Sequence, residues 1–360
     1  MKKMMAAVFV ISSLICSGPF AKSETNLYTY PELYSQAQTD WVETYYAYDR
    51  EIQINVRFNM PEVYKLPVLK VQRQKPISDS VLKDFQNQFT CERITNNPGQ
   101  LSIVCNDVHK EILEMRSDYS ILTIDFDLDE LKQSNNAVPE VNLSQVEEIL
   151  SFFEYQKNFL LQQNSVSLSA PVQASYNRYV DCDGRPLSES GFYAFAFNQL
   201  IYDIPVLSNI RAHYRNPIKS ENGIYLMANR FYCKNSESFN LNLNLLEELE
   251  CAMEDMPVCS IEKIKSTCEQ LIDKGLVRGI QSIELGYVLY DDKEDGSFFW
   301  AVPTWLVRCE YFDSPEKEWG EKAPETRTTS TLAINSQDGT FYDLLSEEAS
   351  RSVCPTIIPF

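Results

Sequence analysis

The sequence predicts an α+β protein of two domains, with antiparallel sheets each packed by one or more helices. Three observations carry that prediction. Residues 280–290, 297–309 and 330–335 are β-rich runs, and Asp291–Gly296 and Ser336–Gly339 separate or close them with turn chemistry, as in an antiparallel meander. A helix precedes this meander: Ile261, Ile264, Cys268, Leu271 and Ile272 recur at helical spacing, Ser260 stands at the cap and Gly275 at the left-handed stop. The same order of helix and then hairpin recurs at residues 77–105. A chain of 360 residues is long enough for two domains, each with its own core.

Residues 1–23 read as a secretory signal. Lys2 and Lys3 open it, Met4–Cys16 is its apolar segment, and Ala21-Lys22-Ser23 fits a cleavage site. The apolar segment is too short for a typical spanning helix, and no later segment reaches that length. Cys16 offers an alternative as a lipidation site, but Ile15 before it fits a lipobox poorly, so plain secretion is the preferred reading. The expected location is therefore extracytoplasmic, with contact to a membrane only through such an anchor.

Residues 24–140 form the expected N-terminal domain. After an irregular aromatic lead-in to residue 50, with a helical turn as the alternative, Ile52–Phe58 alternates with period two and Leu66–Gln72 is a second strand. Ile77–Phe89 is a helix with Val81, Leu82, Phe85 and Phe89 on one face. Cys91 and Cys105 lie symmetrically about Pro98 in a hairpin centred on Asn97-Pro98-Gly99, which predicts a disulfide between them; two reduced, packed thiols are the alternative. Tyr119–Phe126 is a further strand. Asp125, Asp127, Asp129 and Glu130 lack the Gly and distal Glu of a calcium loop.

Residues 141–190 form a helix, from Asn142 to Leu161, and a Ser- and Gln-rich linker expected to be exposed. The C-terminal domain, 191–360, opens with the strand Phe192–Ile201, a bend and a short strand, and Gly223–Tyr232 is their partner. Leu243–Met253 is rich in Leu and Glu and reads as a helix before Ser260–Lys274.

Charge and residue types exclude several functions. The net charge is −19, and removal of Lys2, Lys3 and Lys22 makes the chain more acidic still. Nucleic acid and anionic membrane faces need cationic patches, so neither is an expected partner. Beyond Cys16 there are nine cysteines, an odd number, with no repeated C-x-x-C spacing. With only His109 and His213 to add, no zinc site is expected. Both histidines read as exposed loop residues, and neither accompanies a nucleophile motif. The acidic cluster Asp291, Asp292, Glu294 and Asp295 is expected turn chemistry. No cofactor, metal or catalytic residue is assigned. Trp300 and Trp305 lie five residues apart on one strand and so point to opposite faces; whichever is not in the core is the candidate binding surface, with burial under the excursion from Cys309 to Glu325 as the competing, favoured explanation.

The runs Ile283-Glu-Leu-Gly-Tyr-Val288, Phe299-Trp-Ala-Val-Pro-Thr-Trp305 and Leu332-Ala-Ile-Asn-Ser-Gln-Asp-Gly339 resemble PepSY-like domains over residues 190–345. The resemblance is to those of YycI-type extracytoplasmic accessory proteins of sensor kinases and to exported lipoproteins of gut clostridia. Ser336 departs from the small residue usual there, and Cys16 from the usual lipobox. The resemblance implies a non-enzymatic binding or regulatory role at the cell envelope, with another envelope or extracellular protein as partner. The alternative is a carboxylate-dependent envelope hydrolase acting on glycan or peptide.

Overall fold

The computed structural model describes residues 27–37, 40–47, 50–109, 120–133, 141–162, 166–181, 183–187, 191–207, 218–219, 224–226, 229–273, 277–291, 298–312, 327–339 and 341–343. The signal segment 1–23, Cys16, His213, Gly275 and the cluster 292–295 lie outside these residues. In chain order come β1 (Leu27–Tyr28), α1 (Tyr30–Gln36), β2 (Trp41–Ala47), β3 (Arg50–Val56), β4 (Phe58–Asn59) and β5 (Val68–Arg73). Next are α2 (Asp79–Gln88), β6 (Arg93–Asn97), β7 (Gln100–Cys105), β8 (Ser120–Phe126), α3 (Leu128–Gln133), α4 (Leu143–Leu161) and β9 (Ser167–Val180). Then follow β10 (Phe192–Ile201), β11 (Ile204–Val206), β12 (Ile218–Lys219), β13 (Ile224–Leu226), β14 (Asn229–Asn235), β15 (Ser238–Asn244) and β16 (Leu246–Met253). The described chain ends with β17 (Val258–Cys259), α5 (Ile261–Asp273), β18 (Val277–Asp291), β19 (Phe298–Phe312), β20 (Arg327–Asn335) and β21 (Phe341–Asp343). Strands dominate, helices are few and the sheets are antiparallel, which is compatible with the expected α+β class.

Two compact units are present. One takes residues 1–70, 219–225 and 248–360, the other 71–218 and 226–247. These units do not follow the linear division at 140 and 190. Periodicity shows that a segment buries one face but not which distant segment receives it. The helix read as part of a linker, α4, is in fact a core element.

The unit of residues 71–218 and 226–247 is built on an antiparallel sheet in the order β8-β9-β10-β14-β15-β7-β6. Phe195, Phe231, Phe239, Leu241 and Ile103 share one core with Val81, Leu82 and Phe85 of α2 and Val146, Ile149 and Phe153 of α4. Phe153 stacks on Phe197 with ring centroids 4.2 Å apart. Burying each such side chain stabilises the fold by about 1.5–3 kcal/mol. Asn142 caps α4, its side chain accepting from the Gln145 N–H at 3.2 Å. The hairpin β6–β7 turns through Gly99 at φ +70°, and a Cβ there would stand 2.6 Å from Arg73 Cβ, so only glycine fits. The Ser- and Gln-rich stretch expected to be exposed is instead β9, paired on both sides by β8 and β10. Burial of its polar side chains is confined to its second half, where Ser175 and Asn177 are covered, whereas Ser167 stays exposed.

The unit holding residues 248–343 contains the expected meander, β18-β19-β20-β21. Its register places Leu285 opposite Trp305, and Trp305 opposite Ile334. On β18 and β19 the row Ile283, Leu285, Tyr287, Phe299, Ala301, Trp305 and Val307 is buried throughout. Helix α5 lies against β18 and β2, and its stripe Ile261, Ile264, Cys268, Leu271 and Ile272 is buried as the spacing predicts. Ser260 Oγ accepts the Lys263 N–H at 3.2 Å, which caps α5. Thr267 ties the helix to the turn after β20 by donating its hydroxyl to Gly339 O at 2.9 Å.

Pro303 sits one residue outside the β19–β20 ladder, which starts at Thr304↔Asn335. Its carbonyl accepts the Ser336 hydroxyl at 2.6 Å. In a strand the N and C=O of one residue point the same way, so the missing N–H falls where β20 has already ended.

Two segments differ from expectation here as well. The lead-in to residue 50 is ordered as α1 and β2. Leu243–Met253 is not a helix: it is the end of β15 and all of β16. Leu and Glu favour helix, but the cost of overriding propensity is a few tenths of a kcal/mol per residue, about the size of one strand-pair contact.

Candidate functional site

The candidate surface is built on β19. Successive residues of a strand point to opposite faces, and Trp300 and Trp305 divide as expected. Trp305 is completely buried. Phe58 meets it edge-on at 5.6 Å, and Phe58 in turn stacks on Trp41 at 6.3 Å. Its role is core packing. Trp300 belongs to the other row, with Phe298, Val302 and Arg308, all half-buried. Tyr290 is its cross-strand neighbour. Lys70 of β5 lies over this row, its Nζ 5.3 Å from the Phe298 ring and 5.4 Å from the Trp300 ring. That is cation–π distance. Further along the row Arg308 and Glu284 approach to 3.9 Å. The surface is thus aromatic, half-open and edged by charge. It can hold an apolar or aromatic group and orient a polar one.

The other expected site residues are placed as follows. Cys91 and Cys105 are neighbours, since the Glu92 N–H donates to Val104 O at 2.8 Å and the two thiols hydrogen-bond to each other. They are not a disulfide: among the described residues no cysteine pair stands at disulfide distance. Adjacency across a hairpin is not sufficient, because the bond demands a narrow Cβ separation and dihedral. The shared proton holds the Cys91 thiol below its usual range and drives that of Cys105 up. Burial pushes the Cys233, Cys259 and Cys268 thiols up to about 12, which keeps them protonated and unreactive.

His109 is not an exposed loop residue. It is half-buried, its Nδ1 hydrogen-bonded to the Tyr179 hydroxyl and its ring edge-on to Phe192 at 5.1 Å. Asp127 is a helix cap: one carboxylate oxygen accepts from the N–H groups of Asp129 and Glu130, both at 2.8 Å. Among the described residues no group of His, Cys, Asp and Glu could hold a metal ion. Among them, too, no helix is long and apolar enough to cross a membrane.

Sequence reasoning missed a polar layer on the sheet of the 71–247 unit. Register aligns Asp125, Ser175, Ala194, Tyr232 and Asn240 across five strands. Arg230 and Asn242 stand beside them in the next row. Ser175, Asn177, Arg230 and Asn240 are all buried. Thr123 donates to Asn177 Oδ1 at 2.9 Å, Asn177 Nδ2 to Ser175 Oγ at 3.0 Å, and Asn240 Nδ2 to Asp107 Oδ1 at 2.9 Å. Such a network fixes strand register, because a slip would strand each buried amide without its partner. The only signal for it is alternation of Ser and Asn with aromatics.

No family model matches the sequence, and no curated protein matches it. Among solved structures the chain is similar to an uncharacterised protein from Eubacterium rectale ATCC 33656, at 13% identity and a TM-score of 0.54, over 89% of this chain and 100% of that one. At that identity the likeness shows a shared fold and nothing further.

Proposed function

We propose that the chain is an exported, non-enzymatic binding or regulatory protein of the cell envelope, built of two domains of which the C-terminal one is PepSY-like, which acts by contact with another envelope or extracellular protein. The observation that carries this reading is the half-buried Phe298–Trp300 row beneath Lys70. Trp is enriched where binding energy concentrates, and a cation over its face strengthens the contact. The helix-on-sheet order of α5 and β18–β20 supports the PepSY-like part. The carboxyls do not favour the hydrolase reading: among the described residues the two whose pKa moves, Glu32 and Glu43, are both lowered by hydrogen bonds, whereas a general acid needs a raised one.

The test is quantitative capture from envelope extract with the wild-type chain and with Trp300→Ala. The expected result is a partner retained by the wild type and lost by the variant, with an unchanged far-UV spectrum. Equal capture by both proteins removes the Trp300 surface from the explanation.

A further inference from the structure

The strands β2 and β3 form a two-stranded sheet of their own. Strand β3 is the one that lies against β18. Among the described residues no strand pairs with the outer edge of β2. In an antiparallel ladder alternate residues send both N–H and C=O away from the partner strand, and among the described residues no strand takes up that row on β2. Proteins usually blunt such an edge with Lys, Pro, a bulge or brevity. Strand β2 has none of these, and Glu43 is its one charged side chain. It reads Trp41-Val-Glu-Thr-Tyr-Tyr-Ala47, and its ladder with β3 runs unbroken from Trp41↔Val56 to Ala47↔Arg50. Its outward face is open and largely apolar, with Val42 66% and Tyr46 77% exposed.

We propose that this edge is a homodimerisation strand: a second copy of the chain adds its own β2 antiparallel, about a two-fold axis through Thr44. The edge is self-complementary in that register. Val42 of one copy lies opposite Tyr46 of the other, and the reverse, giving two aromatic–β-branched pairs on the open face. Thr44 lies opposite Thr44, a pair of hydroxyls that can bond to each other. Glu43 meets Tyr45 rather than a second carboxylate, and within one chain the Tyr45 hydroxyl already donates to Glu43. Moving the axis to Glu43 sets two carboxylates against each other, which is destabilising. Moving it to Tyr45 shortens the ladder at both ends. Because the copies are identical and each contributes the same strand, the contact closes as a dimer and leaves no free β2 edge. An unrelated extended peptide has no need of this palindrome, which is why the occupant assigned is a second copy.

The test measures molar mass by light scattering during size-exclusion chromatography, over a range of micromolar concentrations. The wild-type chain, 41.5 kDa, is expected at twice its own mass. Thr44→Lys places two ammonium groups across the axis and should return the monomer with an unchanged far-UV spectrum. Thr44→Glu should do the same. Mixing the two variants should restore the dimer, since Lys then faces Glu. A wild-type monomer throughout the range overturns the proposal, as does a Thr44→Lys chain that stays dimeric. A mixture that stays monomeric rules out the axis at Thr44, and with it the proposed pairing.

Discussion

Gln156 lies on the buried side of α4, at helical spacing from Phe153 and Leu160, and is fully buried. Neither its Nε2 nor its Oε1 has a hydrogen-bond partner. An amide taken out of water without compensation costs about 1–3 kcal/mol in protein mutational data. Gln156→Met keeps the unbranched shape, approximate volume and helix propensity while removing both polar atoms. It should therefore stabilise the unit of residues 71–218 and 226–247 by about 1–3 kcal/mol. At about 1.4 kcal/mol per factor of ten, a gain of about 2 kcal/mol slows amide exchange through opening by roughly 30-fold. Hydrogen exchange followed by mass spectrometry on peptides spanning 143–161 reads this directly. It is preferable to a single melting temperature, because a chain of two units need not unfold in one step. A loss of stability above about 1 kcal/mol refutes the reasoning: the amide would then be bonded in solution, by a buried water for example, and the polar atoms would be an asset.

Leu271→Ala should cost about 2–5 kcal/mol in the unit containing α5, since Leu271 is only 1% exposed; exchange in α5 peptides checks it, and a cost well below 1 kcal/mol would mean that the stripe does not pack as described. Glu43 gives a pH dependence, because the Tyr45 hydroxyl bonded to its carboxylate lowers its pKa below the ordinary 4.5. A lowered folded-state pKa contributes stability that is present above 4.5 and lost as pH falls through the folded value. Glu43→Gln should therefore flatten the acid limb of a melting-temperature profile, and an unchanged limb would show that the hydrogen bond does not form in solution.

The C-terminal meander and its helix were legible because their signals are local. A stripe at helical spacing ending in Leu271 and Ile272, and alternation through Ile283, Leu285 and Tyr287, each state their own period. The hairpin at Pro98-Gly99 was legible for the same reason: positive φ demands glycine. Strand β16 was not, since Leu246–Met253 consists of helix formers and only its distant pairing makes it a strand. Strand β9 was not, because Ser175 and Asn177 read as solvent-facing until the sheet buries them. His109 was misread because its ring partners, Tyr179, Phe192 and Tyr232, lie far along the chain. Of the candidate surface, the sequence showed that Trp300 and Trp305 differ in face; which of them is buried depends on Phe58, from the other end of the unit.

The discontinuous path of the chain has a consequence in time. The ribosome delivers residues 71–247 as a nearly continuous run, so the seven-stranded sheet and its helices can close as soon as they emerge. Strands β1 and β4 must wait: Leu27 pairs with Cys259, and Phe58 with Ile283. The backbone of Leu66 likewise waits for Asp255, whose carboxylate accepts its N–H at 3.1 Å. Contacts of such separation are slow to form, because loop-closure entropy is lost before they stabilise anything. Throughout that interval Trp41, Ile52, Ile54 and Phe58 lack the residues that later cover them. A nascent chain is most exposed to aggregation and proteolysis between Leu27 and Lys70, a part made early and finished last.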